Sequence, residues 1–373
     1  MAVRRTTFMT EHRINTEYLK LLQEVFLLGK ISLWRNRSGQ KEGNILLVDP
    51  CLIGEFAASI PAIHDFIARH PGKAVDLMVT PACRPLAEKI RGVRQVFVTR
   101  SNYGREQTHD QTAGQAFDSY ERTFVLRVSK ESYELLGEIK TGALATSLPQ
   151  LLPYTLHLLW SIVRGKVPRR WGEINFEMLG STPRSFSFDE MFQFSAEEVE
   201  KTAHLPCMEM SGKKILIHVG TKWTMKRWSN DKWVALLRLI HAKYGRFQFI
   251  FVVGPEDKND QEYIASRLGF ETCSLVGEVD LAQLLLVIRM SDYMIGVDSG
   301  PRNIAHVADT RSVTILGPGP HMYMPPDSRD IALDKTRGRG VVQMFVASGA
   351  PFIERITSQE VYEAFLQLVK NDK

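Results

Sequence analysis

Four short stretches of this chain set phosphate- and hydroxyl-binding residue types directly after apolar runs. The most telling is Gly296-Val-Asp-Ser-Gly-Pro-Arg-Asn-Ile304, which follows a strand-like run, Tyr293 to Ile295, and leads into a helical pattern, Asn303 to Ala308. Asp298, Ser299 and Gly300 therefore fall at a strand-to-helix turn. The first N–H groups of a helix have no partner inside it, and its dipole favours an anion there. Ser or Asp can cap such a helix, Gly300 lets a ligand approach the backbone, and Pro301 suits the first helical turn. The turn suits a phosphate with a hydroxylated group beside it; an ordinary capped helix is the plainer alternative.

The other three stretches repeat this logic. Gly220-Thr-Lys-Trp-Thr-Met-Lys-Arg-Trp228 follows the apolar run ending at His218 and supplies Thr221, Lys222, Lys226 and Arg227. Hydroxyls and ammonium groups in that place suit a diphosphate, and a lysine can neutralise charge as a leaving group departs. Val252-Val-Gly-Pro-Glu-Asp257 is again a run followed by a tight turn. There Glu256 can accept hydrogen bonds from ribose hydroxyls, as acids do in other doubly wound folds. Asp49-Pro-Cys-Leu-Ile-Gly-Glu55 ends the first apolar run. Gly54 permits close backbone approach, and Glu55 is either a base for an attacking hydroxyl or a first-turn acid favoured by the helix dipole.

Several chemistries are disfavoured. Gly296-Val-Asp-Ser-Gly300 lacks the G-x-S-x-G spacing of a hydrolase elbow, and neither a P-loop nor a G-x-G-x-x-G fingerprint follows the first run. The histidines are scattered without metal-ligand spacing, so no metal site is expected. The net charge of +5 is too small to argue for nucleic acid. It fits an anionic substrate or membrane face. At 44% hydrophobic and 24% charged, the 373 residues suit two globular domains. Cys51, Cys83, Cys207 and Cys273 form no CxxC pair, which reads as free thiols of a reducing compartment. The first residues lack a signal-peptide core, and the longest apolar stretch, Leu151 to Val163, is too interrupted to span a bilayer, so a cytoplasmic location is expected.

The elements that must position these turns alternate. Strands are expected at Ile45–Val48, Val75–Val79, Gln95–Val98 and Thr123–Val128, with a helix from about Phe56 to Arg69 and a polar loop from Ser101 to Ala116. After a Pro- and Ser-rich linker within 181–212, the alternation restarts. Its strands are expected at Lys214–His218, Phe247–Val253, Tyr293–Val297 and Ser312–Leu316. Its helices are expected at Asp231–Tyr244, Asp260–Leu268 and Leu281–Met290, with a final helix at Ser358–Leu368. This pattern argues for an α/β protein of two parallel-sheet units, with ligands between the carboxyl ends of their strands. Residues 1–42 stand apart, with eight Lys/Arg against four Glu and an apolar side from Leu21 to Leu33. They read as a basic amphipathic helix, lying on a membrane surface or packed on the first domain.

Taken together and in this order, Asn44 to Pro61, His218 to Trp228, Gly296 to Ala308 and Leu316-Gly-Pro-Gly-Pro320 resemble the heptosyltransferase family, glycosyltransferase family 9. The resemblance implies the GT-B fold, two Rossmann-like doubly wound domains facing each other across a cleft. It also implies metal-independent, inverting transfer of a sugar, usually heptose from ADP-heptose, onto a lipopolysaccharide-core or other lipid-linked acceptor, with no cofactor. Carried onto this chain, it makes Glu55 the base, after Gly54, and Lys226 the contact to the donor phosphates. Asp298, Ser299 and Gly300 then bind the donor sugar and diphosphate, Thr221 and Lys222 belong to the phosphate loop, and Glu256 meets the ribose. The family usually has Asp in place of Glu55 and His in place of Asn303, which points to an altered donor or acceptor. The implied domains are a basic extension at 1–42, an acceptor-binding domain at 43–195, a nucleotide-sugar domain at 196–350, and a helix at 351–373 packing back on the first domain. The N-terminal extension would allow peripheral contact with the inner membrane. Another nucleotide-sugar donor, a nucleotide-sugar epimerase, and a donor-binding protein without catalysis are the alternatives.

Overall fold

A computed structural model describes residues 43–99, 101–102, 105–106, 119–127, 139–146, 171–317, 329–335 and 352–370. The basic segment 1–42 and the apolar run Leu151 to Val163 lie outside the described residues, so the expectations placed on them do too. The chain builds two parallel sheets. The first takes β1 (Asn44–Asp49), β2 (Val75–Val79), β3 (Val93–Val98), β4 (Ser119–Val125) and β5 (Lys140–Thr146) in the order β3-β2-β1-β4-β5. The second takes β6 (Lys214–His218), β7 (Gln248–Phe251), β8 (Cys273–Ser274), β9 (Tyr293–Val297), β10 (Arg311–Leu316) and β11 (Asp330–Asp334) in the order β8-β7-β6-β9-β10-β11.

Both orders run outward from the first strand and then reverse, so each sheet has a switch point beside its first strand, β1 or β6. Ligands of open α/β sheets gather in the crevice at such points. β1 and β6 are apolar along nearly their whole length because a parallel strand is covered on both faces.

The helix α1 (Ile53–Arg69) follows β1. It starts three residues before the expected Phe56, so Gly54 and Glu55 stand in its first turn rather than in a preceding loop. The second unit carries α3 (Asn230–Tyr244), α4 (Lys258–Leu268), α5 (Leu281–Arg289) and α6 (Gly300–Val307), and α2 (Trp171–Met178) precedes it. Strand β5 goes beyond the sequence expectation, because Lys-Thr-Gly-Ala-Leu-Ala-Thr has only two β-branched residues, no aromatic one, and a glycine inside it. Within the expected loop after Ser101, Ser101–Asn102 pairs with Arg105–Glu106, and residues 107–118 lie outside the described set.

The two units share one apolar core at their junction. Phe56, Ile60 and Ile63 of α1 belong to the same buried cluster as Ile304, Ala305 and Val307 of α6. A second cluster, under the other face of the second sheet, contains Trp233, Tyr293 and Phe365.

Two expectations are corrected. The final helix, α7 (Ser358–Lys370), does not fold back on the first domain; it packs on α3, β10 and β11 of the second. Its apolar stripe of Val361, Ala364, Phe365 and Leu368 matches an aromatic surface on that domain, where Phe365 meets Tyr244, Phe247 and Tyr293 edge-on. The Trp228 indole N–H also donates to the Ile356 carbonyl, fastening the segment just before α7. The second correction concerns the cysteines: Cys207 and Cys273 form a disulfide, and only Cys51 and Cys83 are free. Cys207 and Cys273 lie 66 residues apart in the chain yet 5.6 Å apart at Cα, a proximity that no spacing rule reveals. Among the described residues, no helix is long and apolar enough to cross a membrane.

Because Phe365 is fully buried within an aromatic cluster, Phe365→Ala should destabilise the protein by about 3–5 kcal/mol in urea unfolding. A loss below about 1 kcal/mol would mean that α7 is not docked on this surface.

Candidate functional site

At the end of β1 the backbone turns sharply through Pro50 and Cys51. The turn is pinned from β2's end, where the Thr80 hydroxyl donates to the Cys51 carbonyl at 3.0 Å. This presents the N-terminus of α1 at the switch point of the first sheet. At the switch point of the second, β9 ends at Val297, Asp298 follows it, and α6 begins at Gly300. The two helix starts meet: a Cβ added to Gly54 would lie 2.9 Å from Asn303 Nδ2 and 3.3 Å from Gly300 Cα. A Cβ on Gly300 would in turn come within 3.2 Å of Ile53 Cγ2. The absence of a side chain at both positions lets the two helix starts approach closely.

On the first-domain side, Glu55 is 6% exposed. One carboxylate oxygen accepts the Leu52 N–H at 3.3 Å, and the other pairs with Arg127 at 2.8 Å. Glu55 thus serves the helix start and also presents a fixed carboxylate at the junction. Arg127 was not singled out in the sequence; the available signal was a lone charge within the apolar run Phe-Val-Leu-Arg-Val, at the end of the strand next to β1. Beneath Glu55 lies Asp49, fully buried, with neither carboxylate oxygen in a well-formed hydrogen bond. Burial pushes its pKa up to about 6, and the neighbouring Cys51, Ser59 and Arg127 only partly oppose that.

On the second-domain side, Lys226 Nζ donates to Asp298 Oδ2 at 2.7 Å, and both side chains are nearly buried. Their loop is clasped by the turn after β10, since a Cβ on Gly317 would come 2.8 Å from Lys226 Cα. An ammonium has three donors, so Lys226 can hold Asp298 and still reach a ligand oxygen. Ser299 occupies the cap position of α6 in extended backbone, yet its side chain makes no capping bond, and its buried hydroxyl has no hydrogen-bond partner. The helix start is therefore not closed by its own side chain.

Asn303 is held by its neighbours. Its Oδ1 accepts from Arg302 Nη1 at 3.0 Å, and Arg302 Nη2 pairs with Asp330 at 2.7 Å. Asp330 also accepts from the Ser312 and Thr314 hydroxyls, each at 2.7 Å. This buried set fixes the Asn303 amide against Gly54.

The remaining candidates divide. Thr221 is buried in the loop after β6, and Lys222 is exposed beside it. Glu256 stands exposed after β7, its carboxylate folded over Gly254. Its neighbour Asp257, not chosen from the sequence, is buried against Gly220 and pairs with Arg227 at 2.6 Å. Burial raises the Asp257 pKa while Arg227 pulls it down. Arg227 also binds Asp260, so this arginine braces the loop. The structure therefore brings Gly54, Glu55, Lys226, Asp298, Ser299, Gly300 and Asn303 to one junction, and leaves Glu256 and Lys222 at its periphery. Among the described residues, no group of three or more His, Cys, Asp or Glu is arranged to hold a metal ion.

The buried Asp49 has a stability signature. Its folded pKa is raised, so the native state binds the proton more tightly than the unfolded chain. Stability from this group is full below the ordinary Asp value of about 4 and falls as pH rises to about 6, by at most about 3 kcal/mol. Asp49→Asn removes that dependence, so the melting temperature of the variant relative to the parent should climb between pH 4 and pH 7. A constant difference across that range would show that Asp49 ionises as it would in water.

Residues 179–334 match glycosyltransferase family 9 (heptosyltransferase). The chain is 27% identical over 121 residues to lipopolysaccharide heptosyltransferase 3 of Escherichia coli, a match spanning 31% of this chain and 35% of that protein. A family 9 glycosyl transferase from Veillonella parvula superposes with a TM-score of 0.68 at 14% identity, covering 90% of this chain and 100% of that one. The E. coli heptosyltransferase WaaC, solved with ADP-2-deoxy-2-fluoro heptose, superposes at 0.61 and 15% identity, covering 87% and 99%. The fold is that of the GT-B heptosyltransferase structures, and the match to glycosyltransferase family 9 covers the second unit of the chain.

Proposed function

We propose that this protein is an inverting, metal-independent glycosyltransferase that moves heptose from ADP-heptose to a hydroxyl of a lipopolysaccharide-core acceptor. The reading rests on the junction of α1 and α6, where a fixed carboxylate, Glu55, stands across from an ammonium, Lys226, and an uncapped helix start. The donor diphosphate seats on the N-terminus of α6 and on Lys226, and the Asp298 carboxylate and Ser299 hydroxyl receive sugar hydroxyls. Glu55 takes the proton of the acceptor hydroxyl as its oxygen bonds to the anomeric carbon. The bond from that carbon to the diphosphate oxygen breaks, and ADP leaves with the electron pair. Charge building on the leaving group is met by Lys226 and the α6 dipole, which supply the positive field that a divalent ion provides in other transferases. Thr221 and Lys222 line the phosphate loop, and Glu256 turns to the ribose when the donor binds. The choice of heptose and ADP is drawn from the WaaC complex, whose ligand is an ADP-heptose analogue. Reaction at the inner face of the cytoplasmic membrane fits a lipid-linked acceptor.

Glu55→Gln should lower turnover by about 10²- to 10⁴-fold while ADP affinity, measured by calorimetry, stays within about threefold. Lys226→Ala should weaken ADP by roughly tenfold or more. Near-normal turnover in the first variant or unchanged ADP affinity in the second contradicts the assigned roles.

A further inference from the structure

Among the described residues, four large hydrophobic side chains are exposed: Leu52, Val199, Trp223 and Leu239. Val199 lies within the helix Ala196–Ala203 and Leu239 within α3, on outer surfaces where a single apolar residue needs no explanation. The other two flank the junction. Leu52 precedes α1, three residues from Glu55, and Trp223 lies three residues from Lys226. One comes from each domain, and each is close in the chain to a charged residue of the junction.

Trp223 is the more informative. It is 47% exposed, whereas Trp228, five residues on, is 3% exposed, packed edge-on against Trp233 and hydrogen-bonded to Ile356. Trp228 is part of the core and Trp223 is not. The Lys226 ammonium lies 5.5 Å from the centre of the Trp223 ring, and the same ammonium donates to Asp298. The indole is therefore tied to the end of the site where Asp298 and Gly300 face Gly54. Glu256 follows β7, on the opposite side of β6 from β9, so the indole is tied to the reacting end rather than to the ribose end.

We propose that Trp223 is a stacking platform for the acceptor's sugar ring, with Leu52 bordering it from the first domain. A pyranose has a face of C–H groups and a rim of hydroxyls. The face suits an exposed indole, and the rim would reach Glu55 and Lys226 at its edge. The inference rests on the glycosyl-transfer reading for the direction of approach, but it assigns a subsite of its own.

The test is calorimetric titration of two probes into the full chain, its Trp223→Ala and its Trp223→Phe variants. The probes are ADP, and the lipid-free core oligosaccharide of a heptose-deficient lipopolysaccharide added with ADP present. Trp223→Ala should weaken the oligosaccharide by roughly tenfold or more, Trp223→Phe should retain most of the affinity, and ADP should bind all three alike. Equal oligosaccharide affinity in Trp223→Ala, no oligosaccharide binding by the parent, or a parallel loss of ADP affinity overturns the assignment. Failure of ADP to bind the parent would instead count against the donor reading, while a Trp223-dependent oligosaccharide affinity would still uphold the platform.

Discussion

The closest constraint in this protein is the approach of two helix starts across the domain junction. Gly54 and Gly300 face each other, and a Cβ on Gly54 would come 2.9 Å from Asn303 Nδ2 while one on Gly300 would come 3.2 Å from Ile53 Cγ2. Everything the site offers is measured from that contact. Glu55 is the next residue after Gly54, and Ser299 the one before Gly300, so the glycine pair sets the spacing between a carboxylate and a helix dipole. The contact is buttressed by apolar packing of α1 on α6 behind it, which makes the relative position of the two side chains a property of the core rather than of mobile surface groups.

Around this contact, the charges are almost all in opposite pairs. Glu55 pairs with Arg127, Lys226 with Asp298, Arg302 with Asp330, and Arg227 with Asp257. Such partly buried pairs add little net stability, since desolvation offsets most of the attraction. Their effect is to hold long side chains in one place. The exception is Asp49, a buried carboxyl in no pair of its own, whose ionisation is opposed by its surroundings.

Much of the fold was legible. Continuous apolar runs such as Ile45-Leu-Leu-Val48 and Ile215-Leu-Ile217 are strong signals of doubly covered parallel strands, and the structure has strands there. The turns at Gly54 and Gly300 were legible because backbone chemistry concentrates there in a few consecutive residues. What escaped was long-range. Arg127 becomes a partner of Glu55 only when β4 is laid beside β1, and Asp330 becomes a partner of Arg302 only when β11 closes the second sheet. The bond between Cys207 and Cys273 is of the same kind. The docking of α7 was misjudged because an apolar stripe says that a helix packs, but not on what. Trp223 and Trp228 look alike in the sequence, and only burial separates a core residue from an exposed one.

In the proposed reaction a diphosphate is held where an ammonium and the start of α6 converge. That claim concerns charge at one point, so it is tested most directly by comparing ligands that differ only there. Titration of the protein with ADP, AMP and adenosine under identical salt should give affinities that fall steeply as each phosphate is removed. If adenosine binds as tightly as ADP, the junction does not hold a diphosphate and the account is wrong.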